Sequence, residues 1–179
     1  LLHGVGADGD DLINLATYFG RVLPKAVFIA PNAPFRFDGA PSGFQWFSIS
    51  DPSKEQKLEG VKMAAPILNA LINHLLAEFE LDESKMAIVG FSQGTMMGLH
   101  VGLRRVKPLA GIIGYSGALV GGELLADEIK TSDQYLCERV RQADVFEVQF
   151  EQRKRLQDRL SGGLAQAADR LLLTWVSRF

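Results

Sequence analysis

Apolar residues recur at helical spacing between residues 61 and 79: Val61, Ala64, Ala65, Leu68, Leu71, Ile72, Leu75 and Phe79. That period gathers them on one face of an α-helix. Asp51-Pro52 ahead of the stripe reads as an N-cap followed by proline at the first helical position. Elsewhere the apolar runs are shorter. Residues 26–30 are β-branched and aromatic and run into Pro31-Asn32-Ala33-Pro34, which predicts a buried strand entering a loop. Residues 86–90 and 109–115 predict two further strands, and 93–105 and 122–129 two helices. A shorter helix is expected over 10–18, with Leu12, Ile13 and Leu15 inward. Leu1-Leu2 reads as the end of a buried strand, which implies missing upstream sequence. Alternating strand and helix argues an α/β class, with a mostly parallel sheet and helices on both faces. The stretch 31–53, with Pro31, Pro34, Pro41 and Pro52, predicts a long irregular loop of the kind that usually carries function.

The rhythm stops near residue 131. The last 49 residues hold 7 Arg and 6 Gln, against 4 Arg and 3 Gln in the first 130, and contain neither Pro nor His. The reading is a core over 1–130 and an atypical, helical tail over 131–179 that is not a domain of its own. In 179 residues there is room for one sizeable core. A net charge of −2 gives no basic surplus for nucleic acid, and no apolar run is long enough to span a membrane. A single cysteine, Cys137, excludes an internal disulfide and cysteine-cluster metal sites, and favours a reducing, cytoplasmic setting.

Gly90-Phe91-Ser92-Gln93-Gly94 fits G-x-S-x-G between a predicted strand and a predicted helix. The chemistry needs that context. So tight a turn holds the serine in a strained conformation, and its neighbours must be glycine to avoid clashes. The hydroxyl then stands at the positive end of a helix, with the Gln93 N–H aimed at a developing oxyanion. Gly4-Val5-Gly6-Ala7-Asp8-Gly9 matches G-x-G-x-x-G, but Asp10 and Asp11 would repel a pyrophosphate at that helix start. The strand that follows ends in Ala30-Pro31-Asn32 and offers no carboxylate for a ribose. These glycines read better as a loop presenting backbone N–H groups to a substrate.

Leu1-Leu2-His3-Gly4-Val5-Gly6-Ala7-Asp8, Pro31-Asn32-Ala33-Pro34, Gln45-Trp46-Phe47-Ser48 and the elbow occur here in one order. Together they resemble the phospholipase/carboxylesterase family of α/β-hydrolases, over about residues 1–130. The resemblance implies Ser92 as nucleophile and the N–H groups of Val5 and Gln93 as oxyanion hole. It implies Trp46 and Phe47 bordering an acyl pocket, and Met96-Met97 packing behind the elbow. The implied reaction is cofactor-free, metal-free hydrolysis of a small acyl ester or thioester through an acyl-Ser92 intermediate.

A serine hydroxyl needs a base within hydrogen-bond reach. The family pattern puts a His-Gly-Asp-like strand end and a late Gly-His turn beyond residue 130, and this sequence has neither. Asp133, Asp144, Asp158 and Asp169 follow no recognisable strand. His100 lies eight residues after Ser92 on the same helix, about 12 Å along its axis. His74 is expected to face solvent. His3 lies beside the oxyanion loop, where the resemblance implies a structural role, with an improvised base as the alternative. Three explanations of the incomplete triad stay open: a replaced ending, an inactive acyl-binding relative, or a histidine borrowed from another chain.

Overall fold

The computed structural model describes residues 1–124 and Glu128. The tail over 131–179, the end of the helix expected over 122–129, and Cys137 lie outside the described residues.

The centre is a parallel pair, β3 (Ala87–Phe91) and β4 (Gly111–Tyr115), in the register Ala87↔Gly111 to Phe91↔Tyr115. Between them the chain crosses over through α4 (Gln93–Leu103). Leu2 forms a parallel bridge to Gly90 on the other side of β3, donating its N–H to Val89 O at 2.8 Å and accepting from Phe91 N–H at 3.0 Å. The expected strand end at Leu1-Leu2 is therefore present as a single bridge.

α4 lies unusually close to the strands because glycines recur along it every fourth residue. A Cβ at Gly98 would stand 2.9 Å from Ile88 Cγ2, and one at Gly102 2.5 Å from Ile112 Cδ1. α3 (Lys54–Glu78) packs against α4 and turns Val61, Ala64, Leu68, Ile72 and Leu76 inward. Each large apolar side chain buried this way stabilises the fold by about 1.5–3 kcal/mol. Met97, Leu109, Trp46 and Phe47 complete the same core.

Several expectations need correction. The segment 26–30 is not a strand, and Val27 is 62% exposed. Composition favours extended backbone there, but a strand exists only as a ladder. Among the described residues the one long-range hydrogen bond made by 26–30 runs from the Leu1 amino group to Ile29 O. The helix expected over 10–18 is broken into α1 (Gly9–Ile13) and α2 (Ala16–Phe19), with Leu12, Ile13 and Leu15 only half-buried. The cap of α3 is Ser53, two residues later than expected; its side chain accepts from Gln56 N–H, while Asp51 accepts from Ser53 N–H. In the last turn of α3 the inward residue is Leu76, with Leu75 half-buried and Phe79, the residue that caps the helix, 39% exposed. The loop 31–53 is irregular as expected, apart from an antiparallel hairpin of β1 (Phe35–Arg36) and β2 (Phe44–Gln45). The last helix begins as a single 3-10 turn, Gly122–Leu124. No helix among the described residues is long and apolar enough to cross a membrane.

Candidate active site

The strand-to-helix turn between β3 and α4 is one residue long, and that residue is Ser92. Its backbone sits at φ 51° and ψ −114°, a region L-residues avoid at a cost of about 1–3 kcal/mol. The surroundings hold it there. Ser92 N–H donates to Tyr115 O at 2.8 Å. The Thr95 hydroxyl lies 2.8 Å from Gly90 O and 3.0 Å from Tyr115 O, and accepts from Tyr115 N–H at 3.0 Å. The flanking glycines are steric requirements. A Cβ on Gly90 would stand 2.5 Å from Thr95 N, and one on Gly94 only 2.0 Å from Leu2 O. Ser92 itself is half-buried, and its Oγ has no hydrogen-bond partner among the described residues.

Among the described residues the main-chain N–H groups of Val5 and of the first turn of α4, Gln93, Gly94 and Thr95, are likewise unengaged. Gln93 is the first residue of α4, where the N–H groups have no intrahelical acceptor. Val5 lies on the loop after Leu2. That loop is pinned to the hairpin, because Gly6 N–H donates to Phe44 O and Phe44 N–H to Ala7 O, both at 2.8 Å. The Gly4–Gly9 segment is not arranged for a dinucleotide. The Asp8 carboxylate takes the N–H groups of Asp10 and Asp11, and Asn32 Oδ1 takes that of Gly9.

Trp46 and Phe47 are buried in the core, at 2% and 1% exposure; the Trp46 indole N–H reaches His3 O, and Phe47 lies against Gly60 of α3. The side chain of Gln93 binds both: its Oε1 accepts from Trp46 N–H at 3.0 Å, and its Nε2 donates to Phe47 O at 2.8 Å. Of the methionine pair, Met97 is fully buried in the core and Met96 packs against it half-buried. Sequence reasoning missed the side-chain bonds of Gln93 and Thr95. The available signal was two polar residues opening a helix that is otherwise apolar up to His100.

All three histidines of the chain are among the described residues. His3 is fully buried; Ala33 N–H donates to its Nε2 at 2.9 Å, so Nδ1 carries the proton and donates to Gly4 O at 2.7 Å. Both ring nitrogens are committed to holding the loop. His74 is exposed on α3 and pairs with Glu78 at 3.3 Å. His100 is buried on α4, with Nδ1 3.4 Å from Val120 O. Burial, followed by the neighbouring Arg104 cation, holds its pKa below the ordinary value. None of the three hydrogen-bonds Ser92.

A family model described as Phospholipase/Carboxylesterase matches residues 1–139. Acyl-protein thioesterase 1 of Schizosaccharomyces pombe is 34% identical over 124 residues, covering 66% of this chain and 54% of that protein. Esterase YpfH of Escherichia coli is 25% identical over 100 residues, covering 56% of this chain and 43% of that protein. The chain thus spans about half the length of these relatives. Among solved structures, esterase PE8 superposes with a TM-score of 0.69 at 42% identity, over 72% of this chain and 60% of its own. Arabidopsis thaliana SOBER1 follows with a TM-score of 0.58 at 26% identity, over 72% and 64%.

Proposed function

Since the chain belongs to the phospholipase/carboxylesterase family, we propose that its chemistry is hydrolysis of a small acyl ester or thioester through an acyl-Ser92 intermediate. Its fold is that of the α/β-hydrolase esterases. The observation that carries the reading is the backbone of Ser92, a non-glycine residue at positive φ between a strand end and a helix start. Strain of this kind persists only where the surroundings enforce it, and it leaves the hydroxyl projecting from the turn.

In this reading Ser92 Oγ attacks the acyl carbonyl carbon as its proton passes to solvent water, and the carbonyl oxygen becomes a tetrahedral oxyanion. The N–H groups of Val5 and Gln93 receive that charge, with the N-terminal dipole of α4 behind the second. Collapse breaks the bond to the leaving oxygen or sulfur, which takes a proton from solvent and departs as alcohol or thiol. A water then attacks the acyl-Ser92 carbonyl, gives up a proton to solvent, and frees the acid as Ser92 Oγ is reprotonated. Trp46 and Phe47 form a buried apolar wall beneath the acyl chain. The chain operates without a cofactor, as one core over 1–130 with the tail appended. No histidine of this chain stands ready to take the proton from Ser92, so turnover is slow. An oxyanion hole alone still supplies part of the catalysis.

The same three histidines favour a second reading, a relative that binds acyl ligands without turning them over. Hydrolysis of p-nitrophenyl acyl esters separates the two. Slow turnover that disappears in Ser92→Ala supports the esterase. Saturable binding of the ester with no Ser92-dependent release of p-nitrophenol overturns it in favour of the binder.

A further inference from the structure

The two proposed oxyanion donors belong to chain segments 88 residues apart, Val5 on the first loop and Gln93 on the helix that follows the elbow. Their spacing must be held to a fraction of an ångström for both to reach one oxygen. Trp46 touches both segments. Its indole N–H donates to His3 O at 3.0 Å, two residues before Val5. Its backbone N–H donates to the side-chain oxygen of Gln93 at 3.0 Å. Both bonds are buried, the His3 ring lies 5.9 Å from the indole at an interplanar angle of 38°, and the Gln93 amide returns a bond to Phe47 O. The indole N–H, the only polar group of that side chain, is thereby spent on the protein and is not available to a substrate.

We propose that Trp46 is a positioning residue that bridges the two halves of the oxyanion hole and sets the distance between the Val5 and Gln93 donors. This rests on the esterase reading for its consequence in rate, but the bridge itself is a statement about the fold. Gln93 has two tasks in it: its main-chain N–H faces the oxyanion, and its side chain carries the far end of the bridge.

The test uses the full chain and two substitutions. Trp46→Phe keeps an aromatic ring and deletes the indole N–H. Gln93→Glu keeps the shape of the amide but, when ionised, sets a carboxylate oxygen against Phe47 O; when protonated it restores both bonds. The first readout is amide hydrogen exchange. In Trp46→Phe, exchange at Gly6 and Ala33, which anchor the first loop, quickens about tenfold, the equivalent of one net hydrogen bond. Exchange in α3 stays as it was. The second readout is phosphonylation of Ser92 by a fluorophosphonate. The limiting rate at saturating probe falls about 10- to 100-fold in Trp46→Phe, with the half-saturating concentration held within about twofold. For Gln93→Glu, the rate relative to wild type at the same pH climbs as pH drops from about 8 to about 5, because burial raises the carboxyl pKa.

Unchanged exchange at Gly6 and Ala33 overturns the bridge. So does a loss seen only in the half-saturating concentration, which would leave Trp46 with its place in the acyl wall and no positioning role. If Trp46→Phe does not fold, the pH-dependent recovery of Gln93→Glu decides, and a flat ratio overturns the proposal. If wild type is never labelled, the esterase reading fails, and hydrogen exchange alone decides the bridge.

Discussion

At Ser92 the backbone is forced to φ 51° by a turn that has no spare residue, and everything near it is arranged around that fact. Gly94 is the tightest point, with Leu2 O 2.0 Å and His3 O 2.8 Å from where a Cβ would stand. Both are main-chain atoms where the Leu2 bridge runs into the Val5 loop, so neither can rotate away. Gly94→Ala is therefore expected to destabilise the fold by about 3 kcal/mol and to displace that loop, read as a lowered denaturation midpoint. These residues were legible in the sequence, since a strand, two glycines, a serine and a helix state a steric requirement without reference to anything distant. The Gln93 side chain was not legible. Its partners, Trp46 N–H and Phe47 O, lie 47 and 46 residues away, and no local spacing announces such a bond. His3 falls between the two cases. Its nearness to the site could be read, but the use of both ring nitrogens by Gly4 O and Ala33 N–H rules out the improvised base only once the fold is known.

Among the elements, α3 separates what periodicity decides from what it does not. Leu68 and Ile67 are neighbours of similar size, yet Leu68 is 2% exposed and Ile67 46%. Leu68→Ala is expected to cost about 2–5 kcal/mol and Ile67→Ala about 0.5 kcal/mol or less, a contrast that chemical denaturation of the two variants measures. The face of α3 was readable because a helix makes its own hydrogen bonds and needs a partner only for its stripe. The segment 26–30 was misread for the converse reason. A strand borrows its hydrogen bonds, and β-branched composition cannot say whether a neighbour supplies them. The start of α3 was misplaced because Asp51 and Ser53 both have side chains suited to capping. Asp51 spends its carboxylate on Ser53 N–H, and Ser53 becomes the cap.

For the molecule as a whole, His100 links the buried core to pH. Burial and the Arg104 cation hold its pKa below the ordinary 6.5, outweighing Val120 O and Glu128, which act the other way. The unfolded chain therefore takes up the proton first. The stability that neutral His100 preserves is fully present above about pH 6.5 and is lost as pH falls from there towards the lowered folded value. The denaturation midpoint is expected to decline over that window, and His100→Gln to flatten the decline. Asp38 and Asp82 are held below the usual carboxylate range by the Ser48 and Ser84 hydroxyls, so they titrate at lower pH, outside that window. Covalent labelling reads the nucleophilicity of Ser92 Oγ directly, without requiring turnover. Incubation with a fluorophosphonate followed by intact-mass and peptide analysis should find one adduct, on Ser92, that Ser92→Ala eliminates. Folded protein that acquires no adduct on Ser92 would contradict the assignment.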